Sequence, residues 1–191
     1  MPDLEVRQVR ESRLAVGHDA RRLTGYAIVF DALSLDLGGF REIMHPDAVN
    51  RTLTNALDVR ALIDHDTSRV LGRTRAGTLR LTKDAHGLRA EIDPPNTTAA
   101  RDLLESVSRG DISGMSFGFK VLEDDWSLEA GQPVRTVMDM EIREVSIVSF
   151  PAYPQTEVAQ RSLAMWTART QGNRIDWLRR LHRTRLARWG N

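Results

Sequence analysis

Residues 110–120, "GDISGMSFGFK", carry two serines three apart in a stretch that otherwise alternates glycine with bulky apolar residues. Alternation with a period of two is the signature of a β-strand. It places Ile112, Gly114, Ser116 and Gly118 on one face and Ser113, Met115, Phe117 and Phe119 on the other. Ser116 then lies between two residues without side chains, where another backbone can come close to its hydroxyl. Ser113 shares the apolar face, where a core hydroxyl bonded to the main chain is the expectation. On this geometry Ser116 is only modestly preferred as a reactive group.

The neighbouring sequence extends a sheet-rich reading. "LEVRQVR" alternates, and "LTGYAIVF" is the continuous apolar run of a central strand. Pro46 starts a short helix reaching about Leu53. In "DVRALIDHD", Val59, Ala61 and Ile63 share a face opposite Arg60, Leu62 and Asp64. "RVLGRT", "TLRLTK" and "GLRAEID", punctuated by "RAG" and "DAHG", read as an antiparallel meander. "NTTAARDLLESVSRG" has a cap at Asn96 or Thr97, an apolar face and Gly110 at its end, so it reads as a helix. "MSFGFKVL" is a strand, "EDDWSLEAGQP" a polar excursion, and "VRTVMDMEIREVSIVSF" one bent strand or two. "PAYP" closes the core, and "TEVAQRSLAMWTART" and "NRIDWLRRLHRTRLARW" both fit helices. No internal repeat or low-complexity tract interrupts this pattern.

The chain has 191 residues, enough for one domain with a real core, and its 41% hydrophobic and 28% charged content is that of a soluble globular protein. No apolar run approaches the ~18 residues of a membrane span, and the charged N-terminus does not resemble a signal peptide, so an intracellular protein without a membrane partner is expected. Zero cysteines exclude disulfides, thiolate metal sites and cysteine nucleophiles. Residues 161–191 hold eight Arg against the single acidic Asp176, a local balance of +7 that leaves the rest at −6 within a net charge of +1. Such a basic tail can serve a separate partner or simply be a solvated face.

Of the five histidines, His18, His86 and His182 sit in charged surroundings that suit solvent exposure, and His45 sits at a helix entry. His65 ends a strand between Asp64 and Asp66, before a polar turn, where scaffolds present functional side chains. An imidazole there can act as a general base. A metal is not expected at "DHD", because adjacent strand residues point to opposite faces and no second ligand stands at helical spacing. No cofactor is expected either.

"ALIDHDTSRVLGRT", "GLRAEID", "ARDLLESVSRGDISGMSFGF" and "REVSIVSFPAYPQTEV" together resemble the prohead proteases of tailed phages, capsid-maturation serine peptidases of the Hong Kong phage type, from about Leu23 to Val158. The resemblance implies a mainly β (α+β) fold similar to that of the herpesvirus assembly protease: a curved or closed antiparallel barrel with flanking helices and a helical basic C-terminal extension. Its implied division is a protease domain over 1–156 and an Arg-rich extension over 157–191. It implies His65 as general base and Ser116 as nucleophile, with Ser113 as alternative. It makes Glu144 the third member, with Asp139, Glu141 and Asp64 as further candidates for that role. Gly118 and Arg143 are candidates for the oxyanion site. The implied activity is endopeptidase cleavage of the capsid scaffold, or of the scaffolding segment of the major capsid protein, with self-cleavage. It is expected in the host cytoplasm inside the procapsid, with room for a homodimer. The competing class is a non-catalytic capsid- or scaffold-binding protein that keeps the fold. The tail, with Trp166, Leu178, Leu181, Leu186 and Trp189 as an apolar stripe, then suits packaging or autocatalytic removal. Nucleic-acid binding is not expected, since no aromatic-rich sheet or recognition-helix pattern supports it.

Overall fold

The computed structural model describes residues 4–9, 11–17, 21–150 and 161–170. In chain order the elements are β1 (Glu5–Val9), β2 (Ala15–Val16), β3 (Leu23–Val29), β4 (Arg41–Met44), a 3₁₀ turn (Pro46–Val49), α1 (Asn50–Thr54), β5 (Arg60–Ile63), β6 (Asp66–Arg73), a second 3₁₀ turn (Thr74–Ala76), β7 (Leu79–Lys83), β8 (Gly87–Ile92), α2 (Thr98–Arg109), β9 (Gly114–Glu129) and β10 (Gln132–Val148). A further helix, α3, covers 161–170.

The strands form two sheets. One has six strands in the order β1-β9-β10-β5-β6, with β4 also on β10; the other has four in the order β2-β3-β8-β7. No closed barrel exists among the described residues. Nor is the larger sheet purely antiparallel: β4 and β5 both run parallel to β10, β4 along Val134–Val137 and β5 along Glu144–Ile147. The chain between them fills the gap on that edge. The Thr52 hydroxyl accepts from Ile142 N at 3.0 Å and donates to Met140 O at 3.3 Å, so α1 satisfies backbone groups that would otherwise lack a ladder partner.

The expected meander is split. β6 pairs with β5 in the large sheet, whereas β7 pairs with β8 in the small one, so the chain changes sheets at the second 3₁₀ turn. Met115, Phe117, Phe119, Val145 and Ile147 of the large sheet join Leu23, Ile28, Leu88 and Ile92 of the small one in a single core. α2 seals this core with Ala100, Leu103 and Val107, capped by Thr97 and ended by a left-handed Gly110.

The supposed polar excursion is strand. β9 and β10 form one long hairpin, turning at Ala130 and Gly131, both at positive φ. Its polar residues lie on the distal arm. There Trp126 packs against Phe40 and stacks on Trp166 of α3 at 5.4 Å between ring centres, and Leu163 packs on the same small cluster. The second expected C-terminal helix, "PAYP", His18, His182 and the boundary near 156 lie outside the described residues. In β5, Leu62 is as buried as Ala61 and Ile63, whereas Arg60 on the same face as Leu62 is exposed. His86 is half-buried with its ring edge-on to Tyr26, in place of the solvent exposure expected for it, while His45 accepts from Asp47 N at the start of the first 3₁₀ turn.

Candidate functional site

The position of Glu144 depends on a β-bulge. Ile142 pairs with Phe119, yet Glu144, two residues on, pairs with Gly118, so Arg143 is the extra residue. Two residues along a regular strand return to the same face. The extra residue breaks that rule and turns Glu144 away from the core face that Ile142 occupies. From there the pattern resumes: Val145 and Ile147 point into the core, while Glu144 and Ser146 point to the other face with Gly118 and Ser116.

Gly118 leaves the room that Glu144 fills. A Cβ at Gly118 would lie 2.5 Å from Glu144 Oε1 and 3.2 Å from its Cδ and Cγ. Likewise a Cβ at Gly114 would meet Val148 at 3.2 Å. The glycines beside Ser116 therefore make room for Glu144 and Val148 of β10. Ser116 itself is completely buried, opposite Ser146 on β10 and Gln8 on β1.

His65 reaches this face from a two-residue hairpin between β5 and β6. Asp64 and His65 both adopt left-handed backbone conformations, as a tight turn of this hand demands. The tip is pinned to the end of β10: Asp64 N donates to Ile147 O, and the Asp64 carboxylate accepts from Ser149 N at 2.8 Å and Ser149 Oγ at 3.1 Å. So anchored, His65 places Nδ1 2.7 Å from Glu144 Oε1. An ionised carboxylate only accepts, so the imidazole donates through Nδ1, and in its neutral form the lone pair lies on Nε2. Nε2 is buried and has no hydrogen-bond partner among the described residues. The second carboxylate oxygen, Oε2, accepts from Ser146 Oγ at 2.5 Å.

The other carboxylates considered for the imidazole are engaged elsewhere. Asp64 holds Ser149, Asp139 pairs with Arg51 at 2.5 Å, and Glu141 pairs with Arg143 at 2.5 Å. Arg143 is exposed at the bulge. Ser113 precedes β9, is exposed, and contributes its carbonyl to a bond from Ser12 Oγ at 2.7 Å; it is not the core hydroxyl that strict alternation implies. Ser116 Oγ donates to the Arg7 carbonyl of β1 at 2.9 Å. No group of three or more metal-ligating side chains occurs among the described residues.

The imidazole thus meets the carboxylate, and Ser116 shares the sheet face of Glu144 while its hydroxyl is bonded to Arg7. The model of the Caudovirus prohead serine protease family matches residues 4–169. The chain belongs to that family. It is similar to the prohead protease of Enterobacteria phage HK97, with 31% identity over 140 residues that cover 71% of this chain and 57% of the relative, so it spans little more than half of that protein. Among solved structures it is similar to the bacteriophage T4 capsid assembly protease, gp21, with a TM-score of 0.53, 7% identity, and coverage of 78% of this chain and 98% of that one. That likeness concerns the fold: mostly sheet, with few helices.

Missed from sequence were Ser146 and the anchoring role of Asp64. The apolar spacing carried a signal for the first. Met140 and Ile142 fit one parity and Val145 and Ile147 the other, and this change of phase marks a bulge that brings Glu144 and Ser146 to the serine face.

Proposed function

We propose that this chain is a capsid-maturation serine endopeptidase with Ser116 as nucleophile, His65 as general base and Glu144 as the group that orients and stabilises the imidazole. The observation that carries this reading is the 2.7 Å bond between His65 Nδ1 and Glu144, which leaves Nε2 unpaired, on the face that Ser116 shares with Glu144. In the reaction, the Ser116 hydroxyl leaves the Arg7 carbonyl and gives its proton to His65 Nε2 as Oγ attacks the peptide carbonyl carbon. His65 returns the proton to the leaving amine, and water then hydrolyses the acyl-serine by the same route. Glu144 stabilises the imidazolium in each half. Its carboxylate covers Gly118, which makes that glycine a poor oxyanion site, and Arg143 is tied to Glu141.

The proposed substrate is the capsid scaffold, or the scaffolding segment of the major capsid protein, cut inside the procapsid of the host, with self-cleavage as a later step. The names of the relatives support this substrate class. The proposed layout is a protease domain over 1–156 followed by an extension over 157–191, whose Arg-rich part docks on acidic scaffold surfaces. A chain ending at residue 170 loses six of the eight tail arginines; it should still trim the capsid subunit in solution but fail to co-purify with procapsids.

The test is co-expression with the major capsid subunit, following its size. Ser116→Ala and His65→Ala should abolish trimming, and Ser113→Ala should leave it intact. A second reading, a non-catalytic scaffold-binding protein, is favoured by the bond from Ser116 to Arg7 in place of His65. It requires that wild type and Ser116→Ala leave the subunit equally uncut while still binding it.

A further inference from the structure

We propose that Ser146 is a positioning residue for the peptidase site, holding Glu144 so that its other oxygen meets His65. This inference rests on the reading of His65 and Glu144 given above. Ser146 is completely buried, lies directly opposite Ser116 in the β9–β10 ladder, and donates to Glu144 Oε2 at 2.5 Å. That separation is typical of a hydroxyl bonded to an ionised carboxylate. A glutamate has three rotatable side-chain bonds, and a single contact to a ring on a hairpin tip leaves it free to swing. With Oε2 held by its own strand two residues away, Oε1 has one direction left, toward Nδ1. The cavity that Gly118 leaves is the third constraint, since it admits the carboxylate in that place.

The geometry also separates Ser146 from the nucleophile. Its proton is committed to Glu144, whereas the proton of Ser116 rests on a neutral carbonyl that it can leave. In this role Ser146 acts through the carboxylate it holds.

Two measurements test this. The first is the trimming rate of the co-expressed capsid subunit by wild type, Ser146→Ala, Ser146→Thr, Glu144→Gln and the double variant Glu144→Gln with Ser146→Ala. Loss of one hydrogen bond to a charged group is expected to slow Ser146→Ala by about 10- to 100-fold. Ser146→Thr, which restores the hydroxyl, should recover most of the rate. In the Glu144→Gln background the alanine change should add less than about twofold, because the group being positioned is already altered. The second is proton NMR in a Ser116→Ala background, which prevents self-digestion. The imidazole Nδ1 proton should appear downfield of the amide region, broaden away in Ser146→Ala, and return in Ser146→Thr.

The inference is overturned if Ser146→Ala keeps the resonance and the rate. It is also overturned if the alanine change costs as much in the Glu144→Gln background as it does beside the native Glu144, or if Ser146→Thr regains thermal stability without regaining resonance or rate. A fully active Glu144→Gln enzyme would instead remove Glu144 from the site, a separate failure of the function proposed above.

Discussion

Gly118→Ala tests the packing of the site with a single methyl group. Without a clash, the change should be mildly stabilising: Gly118 is in regular strand, and loss of chain freedom in the unfolded state is worth ~0.4–1 kcal/mol. The structure reverses that sign. The new carbon would stand 2.5 Å from Glu144 Oε1, well inside contact distance, and the carboxylate has no free direction because His65 and Ser146 hold its two oxygens. Either β9 and β10 separate or Glu144 leaves His65. Overpacking of this kind costs ~1–3 kcal/mol, so after the entropic offset a net loss of ~1–2 kcal/mol is expected, which lowers Tm by roughly 2–8 °C. Displacement of Glu144 should also slow trimming by ~10- to 100-fold, the equivalent of one charge-assisted hydrogen bond. The assay is calorimetry together with capsid-subunit cleavage. Repeating the methyl addition in a Glu144→Ala background removes the obstacle and should turn the stability change neutral or favourable. A Gly118→Ala protein with unaltered Tm and rate, or the same loss of stability in the Glu144→Ala background, would refute this account of why residue 118 lacks a side chain.

Arg135 is buried against Glu5 and Glu42, which also pair with Arg7, and it reaches the more exposed Asp124; burial works against its charge, but these carboxylates outweigh that and raise its pKa. Arg135→Ala leaves the buried Glu5 and Glu42 to share Arg7 and should cost up to ~3–5 kcal/mol, measured as a shift in the urea midpoint; a shift below ~1 kcal/mol would contradict the network. Thr97→Ala removes the cap on Ala100 N and should cost ~1 kcal/mol by the same measurement, with Thr97→Ser restoring most of it. Several aspartates titrate below their ordinary value in the fold: Asp36 through the amides of Gly39 and Gly38, Asp58 through Arg73, Asp84 through the Tyr26 hydroxyl and Asp93 through Arg22. Their contribution is therefore complete above about pH 4 and lost as pH falls through the lower folded values, so the urea midpoint should decline only below that point. A midpoint unchanged down to about pH 2.5 would contradict the sign.

Sequence reading did best where local signals agreed with tertiary ones. Thr97, the apolar face and Gly110 delimit α2 to within a residue, because cap, face and stop are all local. Parity placed Ser116 correctly opposite Met115, Phe117 and Phe119, since a regular strand has only two faces. It failed on the distal half of β9. "EDDWSLE" has few apolar residues because it stands beyond the main core, and its strand geometry comes from pairing with β10. It failed also on strand direction: the parallel docking of β4 and β5 on β10 is set by where the crossover returns, which no window of sequence contains.

The site lies between these two cases. His65 was singled out by its place between a strand end and a turn, and Glu144 by family resemblance, but the contact between them requires two irregularities. One is the left-handed pair Asp64–His65, which folds the imidazole back over β10, and the other is Arg143, which turns Glu144 out of the core. A perfectly regular β10 that kept Ile142 in the core would direct Glu144 into the same apolar layer, where an unpaired carboxylate is costly, and Val145 and Ile147 toward Ser116. The exposed Arg143 is the residue that prevents this. It needs no contact with a substrate to matter, because it sets the phase of every residue from 144 to 148, and Glu144, Ser146 and the core-facing Val145 and Ile147 all depend on that one extra residue.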